Sequence, residues 1–247
     1  MNDLKSPPPP QDSEPSREIK RSPVRPPTPQ ETRPTPAPRP AQPSEPQPEA
    51  PTNPNSALNT LRRKMEAISD EFAQGKINRA QFNAVYKRYS EQRTIIERLI
   101  ARNPDSEAWK QVISLKGQTG FLRSHFEAQP LFYVVYRHKQ YEPIMIGGPQ
   151  KPNEAVIKPV LQLVWSMPTR PPNGLGRKQI GDTNWLILAV GNHAASAVMF
   201  SLEPSIAQAR LVRDLHADFE RANQAALARG WIVPERMVFP QRALVET

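Results

Sequence analysis

The chain has 247 residues, no cysteine and a net charge of +9. Without cysteine there are no disulfides, no thiolate catalysis and no cysteine-held zinc or iron–sulfur centre, which fits a reducing, cytoplasmic setting. The longest apolar runs, LFYVV and WLILAV, are too short to span a bilayer, and no secretory-type apolar run follows Met1.

Residues 1–54 hold 18 of the 30 prolines and none of the 10 glycines, and their seven basic and seven acidic residues cancel. Proline fixes φ and offers no N–H, and the segment has almost no large apolar side chains beyond Leu4, Ile19 and Val24. It is expected to be a disordered, extended tether. The runs PVRPPTP and RPTPAPRP also suit an aromatic docking groove.

Residues 55–116 read as a helical module, in which the basic density is highest. Leu58, Leu61, Met65, Ile68 and Phe72 form one stripe of an amphipathic helix. Gly75 stands where a left-handed residue ends it. Asn78 with Gln81 makes a capping box for a second helix, which carries Phe82, Val85, Tyr86, Tyr89, Ile96, Leu99 and Ile100 and stops at Asn103-Pro104. Asn103 is expected to cap a short third helix bearing Trp109, Val112 and Ile113. Leu61, Met65, Ile68, Phe72, Phe82 and Tyr89 are the expected association seam.

The string EFAQGKINRAQFNAVY, residues 71–86, resembles the helical-hairpin module called SHOCT through Phe72, Gly75, Ile77 and Phe82. Asn78 stands where that family usually has Thr. The resemblance implies association or anchoring rather than catalysis.

Residues 117–247 read as an α+β domain. LFYVVYRH, a turn near Lys139-Gln140 and YEPIMIGG predict a hairpin. VLQLVWS, residues 160–166, reads as a strand. WLILAVG and AASAVMFS flank Asn192-His193 as a second hairpin. A long helix follows from Pro204 or Ser205 to Arg229, stopped by Gly230. Antiparallel strands with segregated helices define an α+β sheet layer. The order is similar to the GAF/PAS/profilin-like group, most closely over residues 185–227, which resemble the end of a GAF domain. That resemblance implies a sensor or scaffold fold whose terminal helix helps make a dimer. The cysteine that anchors bilin chromophores in that family is absent.

Chemistry-bearing motifs are sparse. No two of His125, His138, His193 and His216 lie at metal-ligand spacing, and His216 and Asp218 fall on different helix faces. There is no GxSxG, and Ser196 and Ser201 lie within an expected strand. GLGRK, residues 174–178, satisfies neither the P-loop nor the dinucleotide pattern. Residues 167–184 show no periodicity and carry Arg170, Arg177 and Lys178. They read as a long basic loop, either contacting a partner or anion or serving as a mobile insertion. Catalytic residues, metal and cofactor are therefore all expected to be none. A non-enzymatic interaction or regulatory protein, binding a protein partner or itself, is the expected function. A GAF-like small-molecule sensor and a basic nucleic-acid-associated protein, the latter suggested by Tyr86, Lys87, Arg88 and Tyr89, are the alternatives.

Overall fold

A computed structural model of the chain describes residues 51–114, 118–169, 171 and 174–246, which belong to one compact unit. Most of the expected proline-rich tether, residues 1–50, lies outside the described residues.

Helix α1 runs from Pro54 to Ala73, and α2 from Arg79 to Arg102. Asn53 caps α1, with Pro54 in its first turn, where a missing N–H costs nothing. Gly75 follows α1 at φ +71, and a Cβ there would lie 2.5 Å from the Ile206 Cβ. Glycine is thus required both by the left-handed turn and by close approach of the chain at Ile206. The Asn78–Gln81 capping box forms as expected, with bonds of 2.8 and 2.9 Å. Its spare donors reach further: Asn78 Nδ2 donates to the Phe126 carbonyl and Gln81 Nε2 to that of Arg123. The same two side chains therefore start α2 and hold the end of α4 (Gln118–His125), which the Arg123–Glu71 ion pair also fastens to α1. The third helix, α3 (Ala108–Ser114), begins at Ala108 rather than just after Asn103. Asn103 Oδ1 instead accepts from Asp105 N in a local turn, and Ser106 Oγ accepts from Ala108 N.

The sheet has five antiparallel strands in the order β2-β1-β5-β4-β3: β1 Pro130–Arg137, β2 Pro143–Gly147, β3 Leu175–Ile180, β4 Asn184–Val190 and β5 Ala194–Phe200. Both expected hairpins are present, and Lys139 turns the first at φ 60. The centre of the sheet is buried on both faces, so β4 and β5 read as continuous apolar runs instead of alternating ones.

Two expectations fail here. Residues 160–166 are not a strand but the C-terminal half of α5, Glu154–Ser166, capped by Asn153 through Ala155 N. Ile157, Val160 and Leu161, at helical spacing, pack on Phe132, Val134, Leu186 and Leu188. Pro159 sits within the helix, yet this packing outweighs the bond it removes. Likewise, residues 167–184 are not all loop, because Leu175–Ile180 form edge strand β3, paired only to β4.

The opposite face of the sheet is covered by α6 (Ile206–Ala222), α7 (Gln224–Arg229) and the C-terminal segment. Val212, Phe219, Leu227 and Phe239 meet Tyr133, Val135, Ile187 and Val198 there. The long helix expected through Arg229 is interrupted at Asn223. That side chain turns from the helix to clamp the backbone of Val238, donating to its carbonyl (2.7 Å) and accepting from its N–H (2.9 Å). Gly230 ends α7 at φ +74, as expected.

The helical hairpin is joined to this sheet layer at the start of α6. Ala207 N donates to the Gly75 carbonyl, and Glu203 pairs with both Arg79 (3.6 Å) and Arg177 (3.3 Å).

Candidate functional site

Of the expected basic cluster, the two described members, Arg177 and Lys178, do not converge. Arg170 lies outside the described residues. Arg177 and Lys178 are neighbours on β3, so their side chains leave opposite faces of the sheet. Arg177 is also engaged within the chain: it pairs with Glu203, donates to the Pro204 carbonyl (3.2 Å) and lies 5.4 Å from the Trp185 ring centre. It fastens the link between β5 and α6 to the sheet edge, while Lys178 is exposed.

The expected association seam divides into an inner and an outer part. Leu61 and Ile68 are buried within the hairpin, Leu61 with Ala57, Ile96 and Trp109, and Ile68 with Ile77 and Val85. Tyr89 packs against both of these groups, and Lys64 lies 5.9 Å from its ring centre. Phe72, Phe82 and Tyr86 instead form a ladder at the surface. Phe72 stacks on Phe82 at 4.8 Å and Phe82 meets Tyr86 at 5.2 Å, and Phe72 and Tyr86 are each 37% exposed. Met65 lines a groove beside Tyr86, bordered by Arg62 and Arg93 and by Glu66 and Asp70.

A second concentration of polar groups lies where β1 ends beside the β4–β5 turn. Glu220, on α6, reaches this turn and accepts three backbone N–H bonds, from Asn192 (2.9 Å), His193 (2.7 Å) and Ala194 (2.9 Å). A Cβ on Gly191 would overlap the Glu220 carboxylate, so glycine is the residue that lets the clasp close. One turn earlier on α6, His216 Nδ1 lies 2.8 Å from Ser196 Oγ, which also accepts from Gln241 Nε2 at 3.0 Å. This serine–histidine pair is a core element: Ser196 and Gln241 are 0% exposed and His216 is 3% exposed, so no substrate reaches Oγ in this structure.

Burial holds the His216 pKa below the ordinary imidazole value, against the opposing pull of the Glu220 charge and the Ala194 backbone. Because the folded pKa is depressed, the unfolded chain takes up the proton first as pH falls. The stability that neutral His216 contributes is complete above the unfolded value of about 6.5 and declines as pH drops from there toward the folded value. Melting temperature should therefore fall on acidification below that point, and His216→Gln should flatten that part of the curve. An unchanged slope in the variant would assign the acid sensitivity elsewhere.

On the α5 side of the same turn, Trp165 meets Tyr141 edge-on at 4.9 Å and His138 at 6.4 Å. Nothing in residues 160–166 read as a strand foreshadowed this aromatic group, since helical geometry is what brings Trp165 to it. Glu220 was equally hidden, because its partners lie 26–28 residues away in sequence.

Among the described residues, no group of three or more His, Asp or Glu side chains is placed to hold a metal, and no helix is long and apolar enough to cross a membrane. No protein-family model matches the chain, and neither a curated protein nor a solved structure matches it.

Proposed function

We propose that this chain is a non-enzymatic interaction or regulatory protein acting through protein–protein contacts, with the helical hairpin as its association element. The observation that carries this reading is the Phe72–Phe82–Tyr86 ladder, an aromatic surface whose two outer rings the hairpin leaves partly in water. Aromatic residues of this kind form the cores of protein interfaces, and charged residues form their rims. Arg62, Arg93, Glu66 and Asp70 supply such a rim, with both signs present. A surface carrying both signs can complement itself across a two-fold axis, so the favoured occupant is a second copy of this chain. In this reading the proline-rich segment is a tether, and the α+β domain, GAF/PAS/profilin-like in arrangement, supports the hairpin and offers a recognition surface.

The test is light scattering across a concentration series. The parent chain is expected to dimerise, and Phe72→Glu combined with Tyr86→Glu to yield monomer while circular dichroism stays that of the parent. A parent that is monomeric at every concentration, or a double variant that still dimerises, would remove the self-association reading.

A further inference from the structure

The segment that follows α7 turns large apolar side chains into water. Trp231 is 65% exposed, Val238 56% and Val233 42%. Their exposure is set by the backbone. The chain is extended at Val233 and Met237, and in extended chain successive side chains leave opposite sides. Ile232, Met237 and Phe239 pack into the core that contains Val198 and Phe219. Their neighbours Trp231, Val233 and Val238 are therefore directed away from it.

Hydrogen bonds keep these side chains close together. Asn223, at the start of α7, clamps the backbone of Val238. Near the other end of the helix, Trp231 N donates to the Ala226 carbonyl at 2.9 Å. A helix of six residues is ~9 Å long, so Val238 and Trp231 are separated by about that distance. Val233 and Val238 flank the short turn Pro234–Arg236, which is closed by Arg236 N on the Val233 carbonyl at 2.9 Å. The patch is thus already formed before any partner arrives, which lowers the cost of binding.

The charges beside the patch are mainly basic. Between Gln224 and Val238 they are Arg229, Arg236 and Glu235. The Arg229 guanidinium lies 5.1 Å from the Trp231 ring centre. A third guanidinium comes from β1: a Cβ on Gly230 would lie 2.8 Å from Arg137 Nη2, so the glycine leaves Arg137 room at the end of α7. The wider field has the same sign. Residues 1–54 are balanced, so the whole excess of +9 belongs to residues 55–247.

We infer that this patch docks the chain peripherally on an anionic membrane surface. Trp231, Val233 and Val238 enter the boundary between headgroups and acyl chains, and Arg229, Arg236 and Arg137 meet the lipid phosphates. Exposed apolar surface rimmed by polar residues marks a protein or a membrane contact. The rim of the aromatic ladder carries both signs, whereas the basic excess here fits a partner of uniform negative charge. Tryptophan suits the headgroup level, and apolar insertion together with basic attraction supplies the two signals that stable anchoring needs. The two valines offer nucleic-acid bases no ring to stack on, which disfavours a single strand. The inference goes beyond the proposed function and uses none of the ladder's residues.

The experiment is flotation of the full chain with vesicles of phosphatidylcholine, either pure or with roughly 30% phosphatidylserine, at about 0.1 M salt. The chain is expected to float with the anionic vesicles and to stay behind with the neutral ones. Emission from Trp231, read as the difference between the parent and Trp231→Phe, should move to shorter wavelength on the anionic vesicles. Trp231→Ala should weaken vesicle binding about tenfold, and Arg236→Gln about fivefold. Val238→Asp should abolish flotation and still fold, because Asn223 holds the backbone of Val238 and not its side chain. Circular dichroism and a melting curve matching the parent's establish that each variant is folded. The inference is overturned if the parent does not float with the anionic vesicles, if it floats equally with the neutral ones, or if folded Trp231→Ala and Val238→Asp float as the parent does. Quenching of the Trp231 emission by oligothymidylate, with no flotation, would give the patch to nucleic acid instead.

Discussion

Leu61→Asp should unfold the helical hairpin, whereas Phe72→Glu should leave it standing. Leu61 is 2% exposed and touches the group formed by Ala57, Ile96 and Trp109. Truncating a buried leucine costs about 2–5 kcal/mol, and an unpaired carboxylate in its place adds several more. The total, at least about 5 kcal/mol, is comparable with the whole stability of an ordinary domain. Phe72 lies at the other limit. It is 37% exposed and its ring stacks on Phe82 alone among the aromatic contacts it makes, so its replacement should cost about 1 kcal/mol. Urea unfolding followed by circular dichroism separates the two, and similar losses for both would contradict the division of the seam into inner and outer parts. That division makes the association test interpretable, since loss of a dimer in Leu61→Asp would report unfolding rather than an interface.

Glu220→Ala should lower stability by about 2–4 kcal/mol. Three hydrogen bonds to a charged acceptor are removed, each worth about 1.5–3 kcal/mol when fully shielded, and water replaces part of this because the Asn192 N–H is exposed. Glu220→Gln keeps one acceptor oxygen without the charge and should lose about half as much. Gly191→Ala should reproduce the loss from the other side, because its methyl group occupies the place of the carboxylate. Amide hydrogen exchange at Asn192, His193 and Ala194 is the local measurement. Exchange that stays slow in Glu220→Ala would mean that the β4–β5 strands, not the clasp, hold the turn.

The aromatic ladder and the aromatic group around Trp165 differ in how much of them the sequence showed. Phe72 and Phe82 stood out through helical spacing and the glycine turn between them. Which seam residues face inward depends on α3 and α4, because Trp109 closes one end of the hairpin's interior and Leu122 packs at the other. The Trp165 group was invisible in the sequence, since it joins α5 to His138 and Tyr141 between β1 and β2, and the segment supplying Trp165 read as a strand.

Local rules determined what depends on a few consecutive residues. The Asn78–Gln81 capping box, the left-handed glycines at 75 and 230 and the two hairpins are set by steric limits and short-range bonds, and these hold wherever such a segment is placed. The proline-rich composition and the lack of cysteine are likewise properties of the chain alone.

Tertiary structure decided the rest. VLQLVWS is apolar enough for strand or helix, and the Asn153 cap with burial of Ile157, Val160 and Leu161 on the sheet selects helix. LGRKQI has no apolar alternation, and it is a strand because β4 offers it a ladder of backbone partners. Asn223 breaks a periodic helix because Val238, 15 residues on, satisfies its amide. In each case the deciding energy comes from groups far along the chain, whose positions no local pattern records.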